Sequence, residues 1–294
     1  MQLLMFRIAS ALVIALIYLL FDVFNKRNVP GSFAYFTLGY GFVLTVLYFN
    51  MSEILVSSAI ALIVLGIGYV IYKAGQIGAA DIIELAAISM MLPLQQAPFL
   101  FGSASQFGLP FILSVMVAAG MSAMIIVPAY YLPKAKRLFR KPLTAFIDKK
   151  GAFKAIVIIV PYLALALFLD LEASINAVGL TMLLAMMFGS SLLMLFEKPI
   201  TDSMVELVTM DKCDEGDIIA FNLMKKSEID SIRKRVKIFD RLVTKELMAE
   251  MKAKRVKDKL PVYRNALPFA VPIFIGVALS ILFGNIIFFI LPIL

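Results

Sequence analysis

Eight apolar runs of about 17–25 residues follow one another along this 294-residue chain, and that length is what a helix needs to cross ~30 Å of hydrocarbon. They fall at about 4–24, 33–49, 54–72, 79–97, 109–132, 152–170, 176–196 and 268–292. Strands of a membrane barrel would instead appear as ~10-residue segments of alternating polarity, and the sequence has none. Hydrophobic residues make up 62% of the chain, against about 45–50% in a soluble domain. The first run is long and ends in charges without a small-residue cleavage pattern, so it reads as a membrane helix rather than a signal peptide. The expected fold class is therefore all-α: a polytopic membrane protein with about eight transmembrane helices and one cytoplasmic polar helical segment.

Three parts follow from that pattern. Residues 1–196 form a seven-helix membrane domain, 197–265 a cytoplasmic polar segment, and 266–294 the final transmembrane helix. Helical signals in the polar segment centre on Ser227–Arg255, where Glu246 and Glu250 alternate with lysines.

Orientation comes from lysine and arginine, which are retained on the cytoplasmic side. Lys26 and Arg27 follow the first run, and Lys73 follows the third. Eight basic residues lie between Lys134 and Lys154, and sixteen between Lys198 and Arg264. All of these share one face under eight crossings, and only Arg7 of the 28 basic residues falls on the other, with Glu53, Asp170 and Glu172. The chain is thus expected to be a multi-pass protein of the cytoplasmic membrane with both termini outside. The +8 net charge reflects this topology rather than nucleic-acid binding, because the polar segment sets thirteen acids against its sixteen basic residues. The Lys134–Lys154 loop, with Asp148 as its one acid, is read as touching anionic lipid headgroups.

No histidine is present and Cys213 is the single cysteine, so neither a disulfide nor a metal site is indicated, and no cofactor motif is found. Cys213 falls in a polar stretch and is read as inert. Gly39, Gly41, Gly66 and Gly68 read as helix-packing positions, and Gln95, Gln96 and Pro98 as the end of the fourth helix.

Against this background two carboxylates stand out. Asp22 closes the first apolar run and Asp81 opens the fourth, and the topology places both about one turn inside the same boundary. An ionisable residue there is a functional-site candidate by default. Two carboxyls at hydrogen-bonding distance cannot both ionise cheaply, so such a pair shares a proton. One member then takes a proton from water while the other polarises a carbonyl. Each aspartate alone also has an ordinary reading: Asp22 pairs with Lys26 one turn on, and Asp81 lies in the first turn of a helix whose dipole favours it. The small residues Gly75, Gly78, Ala79 and Ala80 before Asp81 allow either close helix packing or an extended substrate alongside.

The order of these elements resembles the archaeal type IV prepilin and preflagellin peptidase family, intramembrane aspartyl proteases with a GxGD motif. The likeness rests on Asp22 followed by Lys26, Arg27 and Val29-Pro30, on Gly78-Ala79-Ala80-Asp81, and on the entry Pro268-Phe269-Ala270-Val271-Pro272 to the last run. It covers the first hundred residues and the last thirty. The resemblance implies a membrane-embedded aspartyl endopeptidase with Asp22 and Asp81 catalytic. Gly78, Ala79, Ala80 and Arg27 would support the motif or the substrate path. Its partners would be pilin-like or archaellin-like precursors, cut where a basic leader meets an apolar helix, and membrane lipid; nucleic acid is not expected. Asp211, Asp214, Glu215 and Asp217 would then be a candidate attraction for the leader or, more simply, acids of a solvated loop. Two positions depart from the family pattern: Ala80 replaces the second glycine, and Ile83 stands where many members carry lysine, with Glu84 a polar neighbour one turn beyond Asp81. Two other readings stay open, a proton- or cation-coupled transporter using the same carboxylates and a catalytically silent relative acting in pilus assembly.

Overall fold

The computed structural model describes residues 2–25, 29–48, 51–73, 77–94, 110–173, 177–209, 212–214, 216–236, 239–254, 259–264 and 268–284. Arg27, Gly75, Gln95, Gln96, Pro98, Asp211 and Glu215 lie outside the described residues.

Each expected span contains a helix: α1 (Gln2–Phe24), α2 (Gly31–Tyr48), α3 (Met51–Lys73), α4 (Ala79–Met91), α5 (Phe111–Phe139), α6 (Lys149–Ala173) and α7 (Ala177–Leu195), with the last one after the polar segment. That segment carries α8 (Glu197–Met204), β1 (Glu206–Thr209), α9 (Lys226–Arg235), α10 (Lys245–Ala253) and β2 (Lys259–Val262), and α11 (Ala270–Phe283) follows. Among the described residues α1, α3, α5, α6 and α7 are long and apolar enough to cross a membrane, while α2 and α11 are apolar but shorter. Rows of outward-facing Leu, Val, Ile and Phe, such as Leu55, Leu62, Val70, Val157 and Phe168, present a surface that only lipid can cover. The chain is a multi-pass membrane protein.

Two boundaries differ from expectation. α4 stops at Met91 instead of running to 97, because Leu92 leaves the helical region (φ −130°, ψ 74°) in front of Pro93, where the proline ring disfavours α geometry. Conversely, α5 passes through Pro128 and Pro133 and ends only at Arg140, which takes a left-handed conformation (φ 52°). Lys134, Lys136 and Arg137 therefore belong to a helix rather than a loop, and the Lys134 ammonium lies 5.8 Å and 5.7 Å from the ring centres of Tyr130 and Tyr131.

Short α4 is the hub of the N-terminal half. It packs on α1, α2, α3 and α5, and Leu85, Ala87, Ile88 and Met91 join Ala11, Ala15 and Tyr18 of α1 and Ile273 and Val277 of α11 in one core. Two glycines allow the close approach. A Cβ at Gly68 would lie 2.3 Å from Ile82 Cγ2, and one at Gly41 3.1 Å from the Ala87 carbonyl. Thr45 completes the α2–α4 contact by donating to the carbonyls of Gly41 (2.8 Å) and Met90 (3.0 Å). A Cβ at Gly39 or Gly66 would meet nothing within 4 Å among the described residues, so no packing contact with them requires a glycine there. At the far end of α4 the buried Arg7 donates to the Met91 carbonyl, a cation at a helix C-terminus.

The polar segment has a core of its own, built from Val208, Ile219, Ile232, Val236, Val243, Leu247, Met251, Leu260 and Val262. It is not wholly helical: β1 and β2 pair antiparallel, Glu206 opposite Val262, and Ile219 bridges to Val262. Cys213 is buried in this core, in apolar rather than polar surroundings. Arg264 donates to Asp214 (3.1 Å) and Asp217 (3.0 Å). Partial burial works against the guanidinium charge, but these two acids outweigh it and hold its pKa above the usual value. Both acids are thus engaged within the segment.

Candidate active site

The end of the bundle where α1 stops is also where α4 and α11 start. Asp22, in the last turn of α1, is buried (7% exposed), and its Oδ2 accepts a hydrogen bond from the backbone N–H of Ala270 at 3.1 Å. Ala270 is the first residue of α11, so Asp22 serves as a cap supplied from 248 residues away for one of the N–H groups that a helix start leaves unpaired.

Asp81 lies in the first turn of α4 and its Oδ2 accepts from the Gly78 N–H at 3.2 Å. Gly78 has ordinary extended geometry (φ −70°, ψ 149°), so its lack of a side chain matters for space rather than for backbone conformation. A Cβ there would come 2.8 Å from Asp81 Oδ2. Ala79 is exposed. The Ala80 methyl is half-buried against the core, as is Ile83, so the fold accommodates both departures from the family pattern.

Asp22 and Asp81 are close enough to act on one another electrostatically, and Glu84 acts on both. Glu84, three residues beyond Asp81 on the same helix face, is completely buried. Neither of its carboxylate oxygens has a hydrogen-bond partner among the described residues. Tyr18, one turn before Asp22 on α1 and also within electrostatic range of Asp81 and Glu84, places its hydroxyl 2.9 Å from Thr37 Oγ1. Since Thr37 gives its own proton to the Ala34 carbonyl at 2.7 Å, the Tyr18 hydroxyl is the donor to Thr37. Its oxygen lone pair remains to accept.

Two helices therefore deliver a polar cluster into a largely apolar core, Tyr18 and Asp22 from α1 and Asp81 and Glu84 from α4, with the start of α11 set against Asp22. Such a cluster can exchange protons with water admitted from the loop end.

Residues 10–113 match the family model described as the type IV leader peptidase family. Over this stretch, less than half of the chain, the sequence is similar to the type IV leader peptidase family. The stretch spans Asp22, Tyr18, Asp81 and Glu84 and ends in the first turn of α5, while α11, which caps Asp22, lies beyond it. By that description the family is one of leader peptidases. No curated protein and no solved structure gives a significant match.

Of the residues singled out from the sequence, the fold brings Asp22, Asp81, Gly78 and Ala80 to one end of the bundle, with Ala79 facing outward beside them. Tyr18 and the Ala270 N–H were missed as site components. Tyr18 carried a weak signal, a phenol one turn from a membrane carboxylate. The Ala270 contact had none beyond the proline-rich entry to the last helix.

Proposed function

We propose that this protein is an aspartyl endopeptidase of the cytoplasmic membrane that removes the basic leader of pilin-like or archaellin-like precursors, with Asp22 and Asp81 as its catalytic pair. The observation that carries the reading is that these two acids lie within electrostatic range of one another inside the stretch that matches the leader peptidase family. One carboxylate takes a proton from the attacking water, the other carboxyl gives one to the scissile carbonyl oxygen, and the pair exchanges protons again as the intermediate collapses. Gly78 keeps room beside Asp81 and donates to it, holding the carboxylate in place. Ala270 does the same for Asp22.

The basic residues support the cytoplasmic orientation of this end. Lys73 ends α3, Lys154 near the start of α6 pairs with Glu197 at the start of α8, and the polar segment enters from α8 and leaves into α11. A cytoplasmic position for these basic residues, as expected from the retention of basic loops there, puts the end that holds Asp22 and Asp81 on the same side. A precursor with a basic leader in the cytoplasm and an apolar helix in the bilayer would present its junction at that depth.

The test is leader removal in membranes containing the protein and a pilin-type precursor. Asp22→Asn and Asp81→Asn are each expected to lower processing by about a thousandfold or more, the scale of losing a member of an acid–base pair, with normal insertion and yield. Processing that survives both substitutions would overturn the reading. A proton flux abolished by the same substitutions, without cleavage in the unsubstituted protein, would favour transport.

A further inference from the structure

Glu84 has no part in the two-carboxylate chemistry, yet it is the more deeply buried acid. It is fully enclosed, with both oxygens unpartnered among the described residues. Buried polar groups are normally satisfied, and one left unpartnered among the described residues calls for a partner from outside them. The groups acting on it are Tyr18 and Asp22 of α1 and Asp81 of its own helix, and no cation is among them. The missing partner is therefore a hydrogen-bond donor, and a cationic one suits three clustered acids best.

The position of Glu84 says which donor. Asp81 lies in the first turn of α4 and Glu84 one turn further in, about 4.5 Å deeper at 1.5 Å per residue. Amide hydrolysis breaks the C–N bond and joins the water oxygen to the carbonyl carbon. The leader leaves as a carboxylate, and the nitrogen, taking both water protons, leaves as an ammonium. If the leader lies toward the loops and the apolar helix toward the bundle interior, that new ammonium forms on the deep side of the Asp22/Asp81 pair.

We propose that Glu84 is the subsite for this new amino terminus, its carboxylate receiving the α-ammonium of the apolar helix released by the cut. The proposal rests on the peptidase reading for the direction in which the substrate lies. It makes Glu84 a product-side specificity residue rather than a third member of the hydrolytic pair.

Binding of product needs no cleavage, so the two ideas can fail separately. Full-length protein in lipid nanodiscs is titrated with a synthetic apolar helical peptide of about 20 residues bearing either a free α-amine or an N-acetyl cap. The unsubstituted protein should prefer the free amine by about tenfold, the scale of a hydrogen bond to a charged group, and Glu84→Gln should bind both peptides alike. Equal binding of the two peptides by the unsubstituted protein overturns the subsite, whatever the fate of the variant. So does a preference that persists in Glu84→Gln. Loss of precursor cleavage in Asp22→Asn, measured separately, bears on the peptidase reading alone.

Discussion

At the scale of single residues, Gly78 has a spatial role that its backbone angles would not reveal. Gly78 adopts a conformation open to any residue, but a Cβ there would crowd Asp81 Oδ2 at 2.8 Å. The obstructed atom is the free end of a side chain, so Gly78→Ala should leave the fold almost untouched and push the Asp81 carboxylate off its N–H. The expected outcome is precursor cleavage reduced by about tenfold or more with a thermal unfolding midpoint within a few degrees of the unsubstituted protein. A comparable fall in both quantities would mean that Gly78 serves packing instead. The two aspartates were legible because charge at a membrane margin is costly. Glu84 was visible as a residue but not as a buried one, since whether an acid one turn inside a helix faces lipid, protein or water depends on which neighbours surround that helix.

At the scale of elements, the length and apolarity of the runs revealed where helices lie, whereas their ends and contacts obeyed local chemistry. Pro93 cuts α4 short, yet α5 tolerates two prolines. Four glycines at similar spacing on α2 and α3 looked alike in sequence, but only Gly41 and Gly68 touch α4, because the rotation of a helix about its axis is set by its partners and not by its composition. This makes Gly68 a sharp test of the hub. Gly68→Val should destabilise the protein by about 1–3 kcal/mol, the usual cost of overpacking, read as a lower unfolding midpoint in detergent. Adding Ile82→Ala, which removes the obstructing side chain, should restore a large part of that loss. Non-additivity is the signature of direct contact, and a simple sum of the two effects would mean that α3 and α4 do not meet there. Gly276 offers no such relief, because its Cβ would meet backbone atoms, the Val115 carbonyl at 2.6 Å and the Ala119 nitrogen at 2.9 Å.

At the scale of the whole molecule, the expectation to test is that the basic loops and the polar segment share one side of the membrane. Cysteines introduced at Lys141 and Lys254, in a chain with Cys213 replaced by serine, should react with a membrane-impermeant maleimide from one side of sealed vesicles, and one at Leu171 from the other. Lys141, Lys254 and Leu171 are all exposed, so labelling reports sidedness rather than burial; labelling of all three from one side would break the topology. The all-α membrane character was readable from run length. The small sheet of the polar segment was not, because strands of four residues carry too little periodicity to register beside longer helical patterns.

The hydrogen bond from Ala270 to Asp22 joins residues 248 apart in sequence, and this sets a schedule for the chain during its own synthesis. At roughly 5–20 residues per second, Asp22 waits some tens of seconds after it is made before the helix start that holds it exists. Throughout that interval the early helices can insert and pack, but the carboxylate lacks the hydrogen bond that α11 supplies. That hydrogen bond forms only when α11 docks, so a nascent or truncated chain without that helix lacks the contact.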